Sequence, residues 1–490
     1  MINSIQQFLD SGVPNLQKAT IDYSKDPTDF AGFVYRVRDE ALKFALDYIA
    51  ETLNTCNQMI KECPRRLEEW SVVRTDDKTL ITSIGAVSFK KTLFKNKITG
   101  KTRYLLDDLL DFEPHERISE DAYAQLLREC VQSSYRKGGE AVSILDKVSK
   151  QTVKEKIHSL EFQKEKDHRG RKRKVEYLYI EADEDHVSLQ FQKKKGDLEV
   201  IENGRKLNGM INKLVYVHEG ITKEAPKSKR HKLINPHYFA GAYEGKANSE
   251  LWDEVYEYIE STYDIDSVRR IYLSADGGAW IKSGRKRISG LIYALDGYHL
   301  EQCLFKMTSH MLDNAGEARE MLRYTICEGN KEDFISVVDM LLNYADGKKE
   351  EERILKNRDF LLDNWRASRV RLSETSAVGS STEGHVYHVL SSRMSTLAMG
   401  WSRNGADKMA RLRAYYYNGN DMLELVRYQK QVLKKAAGAE ETEGLISEVR
   451  KTYHKYPAWG KYEEVMRVEL SAEMKKRMSI GLHSFIWKLF

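Results

Sequence analysis

Two aspartates and one glutamate stand where their chemistry could be cooperative. Asp183 follows the apolar run VEYLYIEA, and Asp276 follows RIYLSA. Sequence-distant strands of one sheet can bring such ends together. Two close carboxylates repel and are stable as anions mainly when a cation sits between them. Hard divalent ions such as Mg²⁺ prefer oxygen donors. Two such ions about 4 Å apart can activate water on one side and stabilise a leaving oxygen on the other, which is the chemistry of phosphodiester cleavage and strand transfer. A lone Asp after a strand is more often a turn residue, and Glu184 and Asp185 compete with Asp183 for the role. Asp276 has the more specific surroundings, because Gly277-Gly278 let backbone approach closely and Trp280 follows. The third acid, Glu383, lies in VGSSTEGHVYHVLSSRM at the start of a helix whose apolar face is Val386, Val389, Leu390, Met394 and Leu397. Spacing alone favours a capping box, Ser380-x-x-Glu383, and Glu374 is a nearby alternative. His385 and His388 stand at i, i+3 beside Glu383, where a polar helix face outweighs metal ligation. The patterns HExxH, GxSxG and Walker A do not occur, which argues against a zinc protease, an α/β-hydrolase and a P-loop ATPase.

The elements that must hold these acids are legible as changes of period. Residues 175–180, 214–221, 238–243, 270–275 and 290–295 read as strands, with an amphipathic helix over 250–263. Strands, a helix and then more strands indicate an α/β layered domain. Residues 300–370 read as helical throughout, another helix opens near Glu383, and 404–490 is mostly helical, with a basic stretch at Lys475-Lys476-Arg477. Upstream, residues 1–64 are helical. A β-rich stretch runs over 70–104, interrupted at Gly85 and carrying a hairpin loop at Lys97-Ile98-Thr99-Gly100.

Residues 117–160 return to helix. A short helix carrying Ala141 and Ile144, a turn, and Ser149 as N-cap of a helix with Thr152, Val153 and Ile157 read as a helix-turn-helix. Its second helix would present Lys150, Gln151, Lys154 and Lys156 to DNA. A basic block follows directly: Lys150–Val175 holds ten Lys/Arg against four Asp/Glu, ending in Arg171, Lys172, Arg173 and Lys174. A second patch, Lys223–Lys232, holds five against one. Such blocks suit phosphate contacts, although each alone reads equally well as a solvated face. The segment Trp401–Asn404 is either a contact to DNA ends or an exposed loop between helices.

Bulk properties bound the rest. At 490 residues, about three domains are expected. With 41% hydrophobic residues the chain can build a core, and no apolar run approaches the ~20 residues of a membrane span. Five scattered cysteines without a CxxC pair fit reduced thiols, and the N-terminus has no signal-peptide pattern, so a cytoplasmic location is expected.

Four segments, YIEADEDHVSLQ, IYLSADGGAWI, LIYALDGYHLEQC and STEGHVYHVLSSRMSTLAMGWSRNGADKM, together resemble the ISLre-type bacterial insertion-sequence transposases, which are similar to the Mutator-like DDE transposases. The resemblance runs from about Thr79 to Tyr417. It implies an RNase H-like mixed-sheet core with Asp183, Asp276 and Glu383 around Mg²⁺ or Mn²⁺, and Asp296-Gly297-Tyr298-His299 as an auxiliary D-x-x-H pair. The gap of 107 residues between Asp276 and Glu383 fits an all-α insertion. The expected organisation is then a helical and β-rich region (1–115), a helix-turn-helix region (116–174), a catalytic core (175–299 and 376–417), a helical insertion (300–375) and a C-terminal helical region (418–490). The implied partners are double-stranded DNA, as terminal repeats and target, and further copies of the chain on DNA, with nucleoid association when bound. Two other expectations remain: a DNA-binding regulator with a catalytically dead α/β domain, and an RNase H-like nuclease that does not transpose.

Overall fold

A computed structural model describes residues 3–113, 115–163, 171–191, 199–200, 206–379, 382–397 and 399–437. The chain divides into two compact units. The expected basic stretch at Lys475–Arg477 and part of the block before Arg171 lie outside the described residues.

The first unit holds residues 1–130, 134–153 and the chain from Met422 onward. Helices α1 (Val13–Lys25) and α2 (Phe30–Glu62) precede a long antiparallel hairpin, β1 (Trp70–Ile81) and β2 (Ala86–Asn96), with a short β3 (Thr102–Arg103). Asp29 caps α2 by accepting from the Gly32 N–H. One face of α2 and the hairpin bury Cys56, Ile60, Trp70, Val87, Phe89 and Phe94. Gly85 does not interrupt a strand, as the sequence reading had it. It closes the turn between β1 and β2, where Thr82 N donates to its carbonyl. The expected loop at 97–100 is present, with Gly100 at φ +70°.

The helical stretch that follows comprises α3 (Glu120–Gln132), α4 (Tyr135–Glu140) and α5 (Lys150–His158). Ser149 caps α5 as expected, accepting from the Thr152 N–H, and Val153 and Ile157 are fully buried. The helix before it ends earlier than expected. Ala141 is its C-cap, and Ile144 lies beyond it, 57% exposed. The backbone there is spent on other partners, since Ile144 N and Leu145 N donate to the carbonyls of Ser83 and Ile84. The final described helix, Met422–Ala437, packs within this first unit through Lys430, which pairs with Glu116 and Glu120.

The second unit is built on a five-stranded mixed sheet. Its strands in chain order are β4 (Tyr177–Ser188), β5 (Gly209–His218), β6 (His237–Gly241), β7 (Arg270–Ala275) and β8 (Leu291–Leu295). Their spatial order is β6-β5-β4-β7-β8, with the first three antiparallel and β4, β7 and β8 parallel. The basic patch 223–232 forms a small separate hairpin. Alternation along the strands sends Leu178, Ile180, Ala182, Ile271, Leu273 and Ala275 to one face. There they share a single core with α6 (Ala247–Thr262), α7 (Gly297–Thr308), α8 (Ala315–Cys327), α9 (Lys331–Leu342), α10 (Lys348–Asp363) and α11 (Trp365–Ser373). The helical segment over 300–375 is therefore continuous with the sheet's core and has no core of its own. The other face carries Tyr179 stacked on Tyr272, with Glu181 and Ser274 following at alternate positions. It is approached by α12 (Thr382–Val386), a π-helical turn (Tyr387–Ser391) and α13 (Arg403–Tyr417). No helix among the described residues is long and apolar enough to cross a membrane.

Candidate active site

Three aspartates lie level across the three parallel strands. Ala275, the last residue of β7, stands opposite Ala182 on β4 and Leu295 on β8. The next rung is Asp183, Asp276 and Asp296, and the Asp296 N–H donates to the Ala275 carbonyl. Asp183 is not the end of its strand, contrary to the sequence reading. β4 continues to Ser188 because β5 goes on pairing with it, Asp183 opposite Leu214, after β7 has stopped. The aspartate sits where one neighbour ends and the other continues.

Their electrostatics follow from this crowding. Burial pushes the Asp183 carboxyl up to about 6, with the negative charges of Asp276 and Asp296 adding to the effect and the Glu184 N–H and His299 opposing it. Asp276 accepts from the Gly278 N–H at 2.9 Å. That turn needs Gly277 at φ +100°, where a Cβ would also come 3.1 Å from the Asn364 amide oxygen. Asp296 caps α7, accepting from the His299 N–H, and its Oδ2 lies 3.1 Å from His299 Nδ1. This partner raises the His299 pKa, and the charges of Asp276 and Asp183 contribute in the same direction.

Behind the row lies a buried polar cluster that the sequence reading missed. Glu181 is fully buried and accepts from Tyr216 OH at 2.9 Å and from Thr382 Oγ1 at 2.6 Å, with His218 Nε2 at 3.1 Å. Thr382 Oγ1 also lies 3.3 Å from Asp296 Oδ1. A single hydroxyl thus ties the start of α12 to both β4 and the strand end that bears Asp296. A charged residue inside an apolar strand demands partners, and Glu181 within VEYLYIEA was the available signal.

The alternatives separate by position. Asp185 Oδ1 accepts from Ser391 and Ser395, so that carboxylate is engaged with the helix above it. Glu184 Oε2 accepts from Trp280 Nε1. Glu374 pairs with Arg270 and Tyr272 at the opposite end of β7 from Asp276, away from the aspartate row. Glu383 follows Thr382 in the first turn of α12. Its side chain is exposed and makes no hydrogen bond or ion pair with the aspartates. The structure therefore brings Asp183, Asp276, Asp296 and His299 together, and sets Glu383 beside them without contact. Among the described residues no three His, Cys, Asp or Glu side chains are close enough to hold one ion. Ser380, the expected cap, lies outside the described residues.

Other candidates resolve as structural. His385 Nδ1 lies 3.0 Å from Tyr238 OH, and burial lowers its pKa. Trp401 is buried, donates to the Met394 carbonyl and lies under the Arg393 guanidinium. Ser402 caps α13 and Asn404 donates to the His158 carbonyl. Trp401 thus anchors the segment inside this unit, while Arg403 and Asn404 are exposed. Lys150, Gln151 and Lys154 are exposed and Lys156 is half-buried. Of the following cations, Arg171 and Lys172 are exposed, while Arg173 pairs with Glu219 and Lys174 with Asp264.

The comparisons with known proteins bear on most of the chain. The model of an uncharacterised protein family, UPF0236, matches residues 25–432, and the chain belongs to that family. A UPF0236 protein of Caldanaerobacter subterraneus subsp. tengcongensis, whose name joins eleven locus labels, is 33% identical over 427 residues, covering 87% of this chain and 86% of that one. A second from the same organism, whose name joins four, is 34% identical over 398 residues, 81% of this chain and 79% of its own. A UPF0236 protein "in vanSb 3'region" of Streptococcus gallolyticus is 23% identical over 368 residues, 72% and 75% of the two chains.

Proposed function

We propose that the chain is a DDE-type DNA transposase of an insertion sequence, which cuts transposon ends and joins them to target DNA. The observation that carries this is the level row of Asp183, Asp276 and Asp296 at the ends of parallel strands. The sheet order, three antiparallel strands followed by two parallel to the first, is compatible with the expected RNase H-like core and supports the same reading. So does a relative whose name joins eleven locus labels in one organism. A gene that copies itself around a genome leaves that pattern.

The donor type suits a hard divalent cation, although the described side chains do not form a closed three-ligand group. Carboxylate oxygens are its preferred ligands, and a carboxyl lifted to about 6 by burial and like charge marks negative charge that a cation would relieve. Asp183, Asp276 and Glu383 are the residues that would hold Mg²⁺ or Mn²⁺. When bound, such an ion would supply charge neutralisation at the phosphodiester and a more acidic water or 3′-hydroxyl. The chain's own residues do the rest. Asp296 fixes the His299 ring and raises its pKa, which favours the charged form suited to a phosphate oxygen or a flanking base. Nothing in this chemistry requires a covalent protein–DNA intermediate. Exposed Lys150, Gln151, Lys154, Arg171 and Lys172, with Lys156, would contribute end binding.

The test is Asp276→Asn, assayed for strand cleavage on a duplex carrying the element's terminal repeat and, in parallel, for binding by gel shift. Asn keeps the size and removes the charge, so Mg²⁺-dependent cleavage is expected to vanish while binding persists. Cleavage at the normal rate would remove Asp276 from the site and overturn the reading. Cleavage without any joined product would instead favour a plain nuclease.

A further inference from the structure

At the far end of the sheet from the aspartates is a cleft of about 360 Å³. Arg270, Arg366, Arg369 and Glu374 line it, with Ile292 and Ser373. Arg366, Arg369 and Ser373 stand at i, i+3 and i+7, one face of α11. Three guanidinium groups thus meet one carboxylate, whose Oε2 is already engaged by one of them. Glu374 accepts from Arg270 and from Tyr272 OH. Arg366 and Arg369 are exposed and form no ion pair among the described residues. Two further guanidinium groups line the opening, beside the apolar side chains of Ile292 and Val370. A paired guanidinium would serve stability. Two unpaired ones beside apolar side chains match a planar or tetrahedral anion joined to an apolar body.

We propose that this cleft is a second DNA contact, in which Arg366 and Arg369 hold backbone phosphates of duplex DNA and the sugar lies against Ile292. The proposal rests on the DNA-handling function above and adds where the duplex runs. Arg270, Ser274 and Asp276 alternate onto one face of β7. Six residues of strand span about 20 Å. At about 3.4 Å per base pair, the phosphates held by the cleft lie roughly six base pairs from the reacting bond. The arginines fix register and angle of the duplex without reading its sequence.

The experiment measures affinity of the full chain for a terminal-repeat duplex across a salt series. It compares wild type, Arg366→Ala/Arg369→Ala, and Lys348→Ala/Lys349→Ala, which removes equal charge from exposed positions of α10 that do not line the cleft. Loss of two phosphate contacts is expected to make the slope of log affinity against log salt shallower by about 2 in the arginine variant. The lysine variant should stay close to wild type. An arginine variant with the wild-type slope, or equal losses in both variants, overturns the cleft assignment and leaves the proposed function standing. A wild-type chain that does not bind duplex overturns both. A rise in melting temperature with inorganic phosphate in wild type, absent from the arginine variant and with no change of slope on DNA, assigns the cleft to a free anion instead.

Discussion

Asp183 is the residue at which charge, burial and fold meet. Its carboxyl ordinarily titrates near 3.8 and here is held up near 6. An acid whose folded pKa is raised is no burden below its unfolded pKa. It penalises the folded state progressively as pH rises from about 4 to 6, and fully above that. Two pKa units correspond to roughly 3 kcal/mol at most. Asp183→Asn is therefore expected to raise the melting temperature of the metal-free protein at pH 7.5, with the gap closing as pH falls towards 4. A gap that is flat with pH, or a lowered melting temperature at pH 7.5, would contradict this assignment. Thr382 gives a second test. Thr382→Val keeps the shape but removes the donor to Glu181, so we expect turnover to fall roughly tenfold, the effect of about 1.4 kcal/mol, with DNA affinity unchanged. Thr382→Ser should restore most of it. Equal loss in both variants would show that packing, not the hydroxyl, matters. Asp276 was legible because a strand, a Gly-Gly pair and a Trp coincide in eleven residues, 270–280. Asp296 stood out only through resemblance, since an Asp before a helix reads as a cap, and it is one. The tie from Thr382 to Glu181 joins residues 201 apart, a distance that no local pattern encodes.

At the scale of elements, strands with a β-branched or aromatic character and helices with period 3.6 were legible to within a few residues. The boundaries that failed did so for tertiary reasons. β4 outran its apolar segment because β5 continued to pair with it, and α4 stopped short because its following backbone bonds to the β1–β2 turn. One side chain binds several elements together. Arg371 on α11 donates to the Leu295 and Ala377 carbonyls and to Ser274 Oγ, linking that helix to β8 and β7. Replacing it with Met strands three acceptors, and Arg371→Met should cost about 3 kcal/mol in urea denaturation, with no loss of helix content in the residual folded state. A change below 1 kcal/mol would mean that solvent satisfies those acceptors.

For the whole molecule, composition and charge bounded the class of protein but not its assembly. The mixed order of the sheet is a fact of pairing, and the ion pairs that join Met422–Ala437 to the rest of the first unit link residues over 300 apart in sequence. The basic segment from 150 to 174 should dominate binding to non-specific duplex. If it neutralises six phosphates, affinity is expected to fall roughly a thousandfold between 50 and 200 mM salt. An affinity that stays flat over that range would remove this segment from DNA binding.

The level row of aspartates also has a consequence in time. Its members come from strands separated by about ninety and then twenty residues, and the neighbouring Thr382 comes from nearly ninety further on. Parallel pairing of this kind closes long loops before it gains contacts, and forms slowly. No early, locally folded intermediate can contain the site, so a chain emerging from the ribosome has no three-aspartate centre until most of its second unit has been synthesised. On the proposed function this is a built-in delay, since partly folded copies would carry basic surfaces before any assembled means of cutting.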